Sequence, residues 1–152
     1  MFQIVLVEPE IPPNTGNVIR LCANTGCILH VVKPIGFSLD RKSVRRAGLD
    51  YRDLAQVRVH ADLDACYAEL GTARLFAVET TGSRLYSDAR FGSGDALLFG
   101  SERRGLPRSV LDRLPPEHQL IVPMRRDNPS LNLSNTVAVV VYEAWRQNAF
   151  HD

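Results

Sequence analysis

The chain has 152 residues, 45% of them hydrophobic and 23% charged, with 18 basic side chains against 17 acidic ones and a net charge of +1. This balance excludes a uniformly basic, histone-like protein, a disordered chain and a fibrous repeat. It leaves enough apolar material for one core without disulfide or metal staples, so one domain is expected over residues 1–152. The longest uninterrupted apolar run, Val137 to Tyr142, is far too short to cross a bilayer. The start, Met1-Phe2-Gln3-Ile4-Val5, has no basic region before a long apolar stretch, so no signal peptide is expected. Cys22, Cys27 and Cys66 form no Cys-x-x-Cys pair. An odd count fits a reducing cytoplasm, with all three as small core-filling residues.

In chain order, short apolar runs alternate with helical patterns. Phe2 to Val7 reads as a strand ending at Glu8-Pro9, and Asn14 to Thr25 as a helix closed by Gly26. Ile28 to Val32 is a second strand, stopped by Pro34. Asp40 to Ala47 is a helix ending at Gly48, and Val57 to His60 a third strand. Asp62 to Leu70 is a helix ending at Gly71, followed by strands at Leu75–Val78 and Ala96–Phe99. Pro107 to Leu114 opens with proline at a first helical position, and Leu120 to Val122 is a sixth strand, stopped by Pro123. The last element, Ser134 to Asn148, contains a β-branched stretch but reads as a helix capped by Ser134. Apolar nearly all round, it should be buried, within the domain or against a second copy. The alternation predicts an α/β fold with a mainly parallel sheet and helices on both faces. Ligands in such sheets sit beyond the carboxyl ends of the strands, which singles out the loops after Val78, Phe99 and Val122.

Three segments carry chemistry. In Asn14-Thr15-Gly16-Asn17-Val18-Ile19-Arg20, residues Asn17, Arg20 and Asn24 share a polar arc of roughly 60° beside the apolar stripe of Val18, Leu21, Cys22 and Thr25. Two amides around one arginine suit hydroxyls and phosphates better than a plain solvated face does. Phe99-Gly100-Ser101-Glu102-Arg103-Arg104-Gly105-Leu106-Pro107 joins a strand to a helix, and its two glycines permit close backbone approach. It is neither a GxGxxG loop nor a phosphate loop, since Leu106 stands where the latter has lysine. Finally, Ile121-Val122-Pro123-Met124 is followed by Ser130-Leu131-Asn132-Leu133-Ser134-Asn135, of which helix capping accounts for a single hydroxyl. Basic residues cluster at Arg41, Lys42, Arg45 and Arg46, at Arg103, Arg104 and Arg108, and at Arg125 and Arg126. Two of these clusters flank the chemistry loops, as a polyanionic substrate requires. His30, His60, His118 and His151 are scattered, and no metal-ligand spacing or GxSxG appears.

Taken in order, Asn14-x-Gly16-Asn17-x-x-Arg20, Leu98-Phe99-Gly100-x-Glu102-x-x-Gly105-Leu106-Pro107 and Ile121 to Met124 with Ser130 to Asn135 resemble the three motifs of the SPOUT RNA 2′-O-methyltransferases. The stretches Glu8 to Asn17 and Arg45 to Tyr51 are most similar to the minimal single-domain branch that methylates the wobble nucleotide of tRNA. The resemblance implies a deep trefoil knot at the C-terminal end, bound S-adenosylmethionine (SAM), S-adenosylhomocysteine as product, no metal, and a homodimer. It implies transfer of a methyl group to the ribose 2′-OH of nucleotide 34, cytidine or modified uridine, in the cytoplasm, with no membrane or DNA partner. Carried over by position, the cofactor contacts are Val78, Thr80, Gly82, Gly100, Val122, Ser130, Leu131 and Leu133. Arg20 matches the catalytic arginine, with Asn14, Glu102, Ser130 and Asn132 as its supporting polar residues. Arginine has a pKa above about 12, so Arg20 is either a stabiliser of the nascent alkoxide or a base with lowered proton affinity. Two alternatives remain: 2′-O-methylation at another tRNA or rRNA position, and a SAM- and RNA-binding module without turnover.

Overall fold

The computed structural model describes residues 1–46, 48, 54, 56–128 and 130–151. The expected helix end at Ala47 and the stretch Leu49–Tyr51 lie outside the described residues. Seven strands form one sheet: β1 (Gln3–Val7), β2 (Ile28–Val32), β3 (Val57–His60), β4 (Leu75–Val78), β5 (Arg84–Leu85), β6 (Ala96–Phe99) and β7 (Gln119–Ile121). Their order across the sheet is β3-β2-β1-β6-β4-β7-β5, and every pairing is parallel. Among the described residues five α-helices accompany them: α1 (Pro12–Thr25), α2 (Arg41–Arg46), α3 (Leu63–Leu70), α4 (Arg108–Leu111) and α5 (Leu133–Gln147).

The sheet is covered on both faces, as expected, and alternation along each strand sorts its side chains between them. Ile4, Leu6, Leu29, Val31, Leu97 and Phe99 pack with Val18, Ile19 and Cys22 of α1 and Val137, Val140, Val141 and Ala144 of α5. Val5, Val7, Val32, Ala77 and Leu98 face the other way, with Cys66 and Leu70 of α3 and Val110 of α4. Burial on both sides is why β1, β2 and β6 are near-continuous apolar runs. Each fully buried Leu or Ile contributes roughly 1.5–3 kcal/mol relative to exposure. All three cysteines are buried free thiols.

The structure corrects four local expectations. β5, two residues at the sheet edge paired with β7, is additional. α4 spans four residues instead of eight: Pro107 is its cap, with extended backbone, and stands outside the helix, and at the other end the helix already closes at Asp112. α5 is capped by Asn132, whose side chain accepts from the Asn135 N–H, instead of by Ser134. α1 begins at Pro12 instead of Asn14, and its apolar stripe is covered by the sheet and by α5 of the same chain. α5 does leave Val139 and Tyr142 exposed. Among the described residues, no helix is long and apolar enough to cross a membrane.

Candidate functional site

The loops leaving β4, β6 and β7 at their carboxyl ends meet the start of α1 around a cavity of about 480 Å³. That volume lies in the range of small-molecule sites. Val78, Phe99, Val122, Leu131 and Leu133 give it apolar walls, while Asn14, Thr80, Glu102, Ser130 and Asn132 bring polar groups.

The β6–α4 loop is held in a tight fold. Ser101 bridges to Gly105, whose N–H donates to the Ser101 carbonyl at 2.9 Å. A Cβ on Gly100 would stand 1.9 Å from the Gly105 carbonyl carbon, so two stretches of backbone are in contact there and only glycine fits. Gly105 itself has φ +68°, the left-handed region.

One hydrogen-bonded chain ties the three segments together. α1 begins at Pro12 after Ile11, which offers no side-chain cap. The missing acceptor is supplied by Glu102: one carboxylate oxygen accepts from the Glu10 N–H at 2.7 Å, the other from the Ile11 N–H and the Asn14 amide, both at 3.1 Å. An anion at a helix N-terminus faces unpaired N–H groups and the positive end of the helix dipole. Burial alone would push the Glu102 carboxyl up; donation from Glu10, Asn14 and Ile11 outweighs it and holds the group below its ordinary value. Asn14 passes the contact on, its Oδ1 accepting from the Asn132 amide at 3.0 Å. Asn132 Oδ1 accepts from the Ser134 hydroxyl at 2.8 Å, and Ser134 Oγ accepts from the Asn17 amide at 3.4 Å.

The structure therefore brings together Asn14, Glu102, Ser130 and Asn132, and with them Val78, Thr80, Gly100, Val122, Leu131 and Leu133. It does not bring Arg20 or Gly82 to this cavity. Arg20 lies six residues beyond Asn14, about 9 Å further along α1, and donates to the Gly48 carbonyl. A Cβ on Gly82 would come within 2.3 Å of the Leu120 backbone, so this glycine allows the β4–β5 connection to pass close to β7. The cavity also includes Arg103 and Arg104, from one of the basic clusters, and Glu79, which was not singled out from the sequence. Glu79 was findable, since it directly follows the last residue of β4. Arg104 pairs with Glu8 at 3.1 Å and Glu10 at 3.5 Å, and Arg103 with Glu10 at 3.6 Å, so these arginines are turned to the acidic segment before α1. Lys42, Arg45, Arg46, Arg125 and Arg126 are exposed.

Among the described residues one trio has metal-ligand chemistry: buried His30, His60 and Cys66, with ligand atoms within 4.8 Å of one another. His30 Nδ1 and His60 Nε2 are 2.9 Å apart, the rings 17° from parallel and their centroids 5.1 Å apart. A bond of that length and two ring radii span 5.1 Å only when laid end to end. The nitrogens thus face each other head-on and share a proton, an arrangement unlike the converging lone pairs of a tetrahedral metal centre. Burial, and next the neighbouring His60, push the His30 pKa down to about 4, and burial pushes the Cys66 thiol up to about 11.

Comparison with known proteins agrees with the geometry. Residues 1–142 match the SpoU rRNA Methylase family. The chain is 61% identical to the tRNA (cytidine(34)-2'-O)-methyltransferase of Burkholderia cenocepacia, over 99% of this chain and 97% of the other. A solved structure described as giving structural insights into the 2-OH methylation of C/U34 on tRNA superposes with a TM-score of 0.90 at 44% identity, covering 99% of this chain and 98% of that one. The SpoU methyltransferase AviRb of Streptomyces viridochromogenes, solved with AdoMet, has a TM-score of 0.78 at 25% identity, covering 97% of this chain and 57% of that one. A parallel sheet with its loops gathered at one end, and a match over nearly the whole length, lead to one conclusion: this chain belongs to the SpoU rRNA methylase family.

Proposed function

We propose that the protein is a SAM-dependent methyltransferase acting on the ribose 2′-OH of nucleotide 34, cytidine or modified uridine, of tRNA. The observation that carries this reading is the Glu102–Asn14–Asn132 chain, which fastens three distant segments around one cavity at the strand ends. The full-length likeness to the Burkholderia cenocepacia enzyme supports nucleotide 34 as the target over other tRNA or rRNA positions. The cavity fits the methyl donor in volume and in its apolar walls and polar rim. When bound, SAM supplies an electrophilic methyl group on a good leaving group. Val78, Gly100, Val122, Leu131 and Leu133 would hold it and exclude water, and Ser130, at the exposed rim, would meet the ribose. The protein's main contribution is then alignment of two reactants.

Arg20 does not line the cavity of its own chain. In this reading it acts at the cavity of a second copy, stabilising the developing alkoxide, and the enzyme works as a homodimer. The reading further takes residues 1–152 as one knotted domain working in the cytoplasm, with no metal and no membrane or DNA partner. Mass spectrometry of tRNA nucleosides after incubation with protein and SAM tests it: 2′-O-methylation at position 34 is expected, and its absence refutes the assignment. Co-expression tests Arg20. Arg20→Ala and the cavity-filling Leu131→Trp should each be inactive as homodimers, and the mixed dimer should recover about half a site pair's activity. No recovery refutes action across the dimer.

A further inference from the structure

Two carboxylates line the cavity, and they are in different electrostatic situations. Glu102 is consumed by three N–H donors at the start of α1. The lining arginines, Arg103 and Arg104, are paired with Glu8 and Glu10. Glu79 is half-buried and, among the described residues, has no Lys, Arg or His at ion-pair distance. Its Oε1 accepts from the Leu106 N–H, which clips the β6–α4 loop to the end of β4. Its own N–H donates to the Leu120 carbonyl at 2.9 Å, which adds β7 to the same clip. Both of its oxygens lie 2.6–2.9 Å from where a Cβ on Gly105 would stand, so glycine there makes room for the carboxylate. Oε2 retains its acceptor capacity. The cavity thus carries one negative charge with no cation paired to it among the described residues.

We propose that Glu79 is a specificity-determining residue that gives the cavity a preference for the cationic methyl donor over its neutral demethylated product. This rests on the SAM reading above. Methyl transfer converts a sulfonium into a thioether: the S–CH3 bond breaks with its electron pair left on sulfur, the O–CH3 bond forms, the ribose hydroxyl releases its proton to water, and the cofactor loses its charge at sulfur. An uncompensated carboxylate in a partly desolvated cavity attracts the first state and is indifferent to the second. Exchange of spent for fresh cofactor is thereby favoured.

Calorimetric titration of SAM and S-adenosylhomocysteine into wild type, Glu79→Gln and Glu79→Ala tests this, with thermal melts confirming that each variant is folded. Glutamine keeps an oxygen for the Leu106 N–H and loses only the charge. It should bind the product within about 2-fold of wild type and the donor about 5-fold more weakly, an effect that lessens with added salt. Alanine releases the loop as well and should weaken both ligands. If the donor-to-product affinity ratio of Glu79→Gln equals that of wild type, Glu79 does not discriminate charge and the proposal is overturned. If wild type binds neither ligand, the SAM reading fails first and takes this proposal with it.

Discussion

Replacing Glu102 by alanine strips α1 of the cap that reaches it from another part of the chain. Three donors, the N–H groups of Glu10 and Ile11 and the Asn14 amide, lose their acceptor together. A hydrogen bond to a charged group is worth about 1.5–3 kcal/mol, and loss of a helix cap costs about 1 kcal/mol. The site is only partly buried, so water re-solvates much of what is freed. The expected cost is therefore about 2–3 kcal/mol, well below the sum of three full bonds. In a domain of this size that lowers Tm by roughly 4–10 °C. Glu102→Gln keeps one acceptor and loses the charge, for about 1 kcal/mol. The carboxyl is held below its ordinary value in the folded state, so its contribution is fully present above the unfolded-state value near 4.3 and disappears as pH falls through the folded value. Urea denaturation followed by circular dichroism across pH 3–7 measures both effects. The gap between wild type and Glu102→Gln should be widest at neutral pH and shrink as pH falls below the unfolded-state value. A cost under 0.5 kcal/mol for Glu102→Ala, or a gap independent of pH, refutes the capping argument.

Other outcomes are equally direct. The His30 pKa falls to about 4 on folding, so between about pH 6.5 and 4 the unfolded chain binds more protons at this site. Stability should fall by roughly 2–3 kcal/mol as pH drops through that window, and the slope should shrink in His30→Gln. Gly100→Ala places a Cβ against the Gly105 backbone and should cost about 3 kcal/mol or abolish donor binding by moving the loop, whereas Gly36→Ala, with nothing within 4 Å, should stay within about 0.5 kcal/mol. Denaturant melts and donor titration check both.

The strands of the sheet centre were legible because burial on two faces makes them uninterrupted apolar runs, as in Ile4–Val7 and Ala96–Phe99. Arg84–Leu85 was not, since two residues show no period. The rule that parallel sheets bind ligands at their carboxyl ends pointed to the loops after Val78, Phe99 and Val122, and the cavity lies among those loops. What escaped was everything decided by contacts between distant residues. Glu102 caps a helix that starts some ninety positions earlier, and His30 meets His60 only because β2 and β3 are neighbours in register. Arg20 was placed beside Asn14 by the family resemblance, while in this chain it lies further along α1 and donates to the Gly48 carbonyl.

The order of strands has a consequence for how the chain comes off the ribosome. β4 is flanked by β6 and β7, and β5 by β7 alone, so both are translated before either of their neighbours exists. When synthesis has reached Asp88, only the β1-β2-β3 half can assemble, and β1 still shows a bare edge where β6 will insert. The nascent protein thus carries an open, apolar strand edge on β1 from Val7 until β6 begins at Ala96, a window in which association between chains competes with folding.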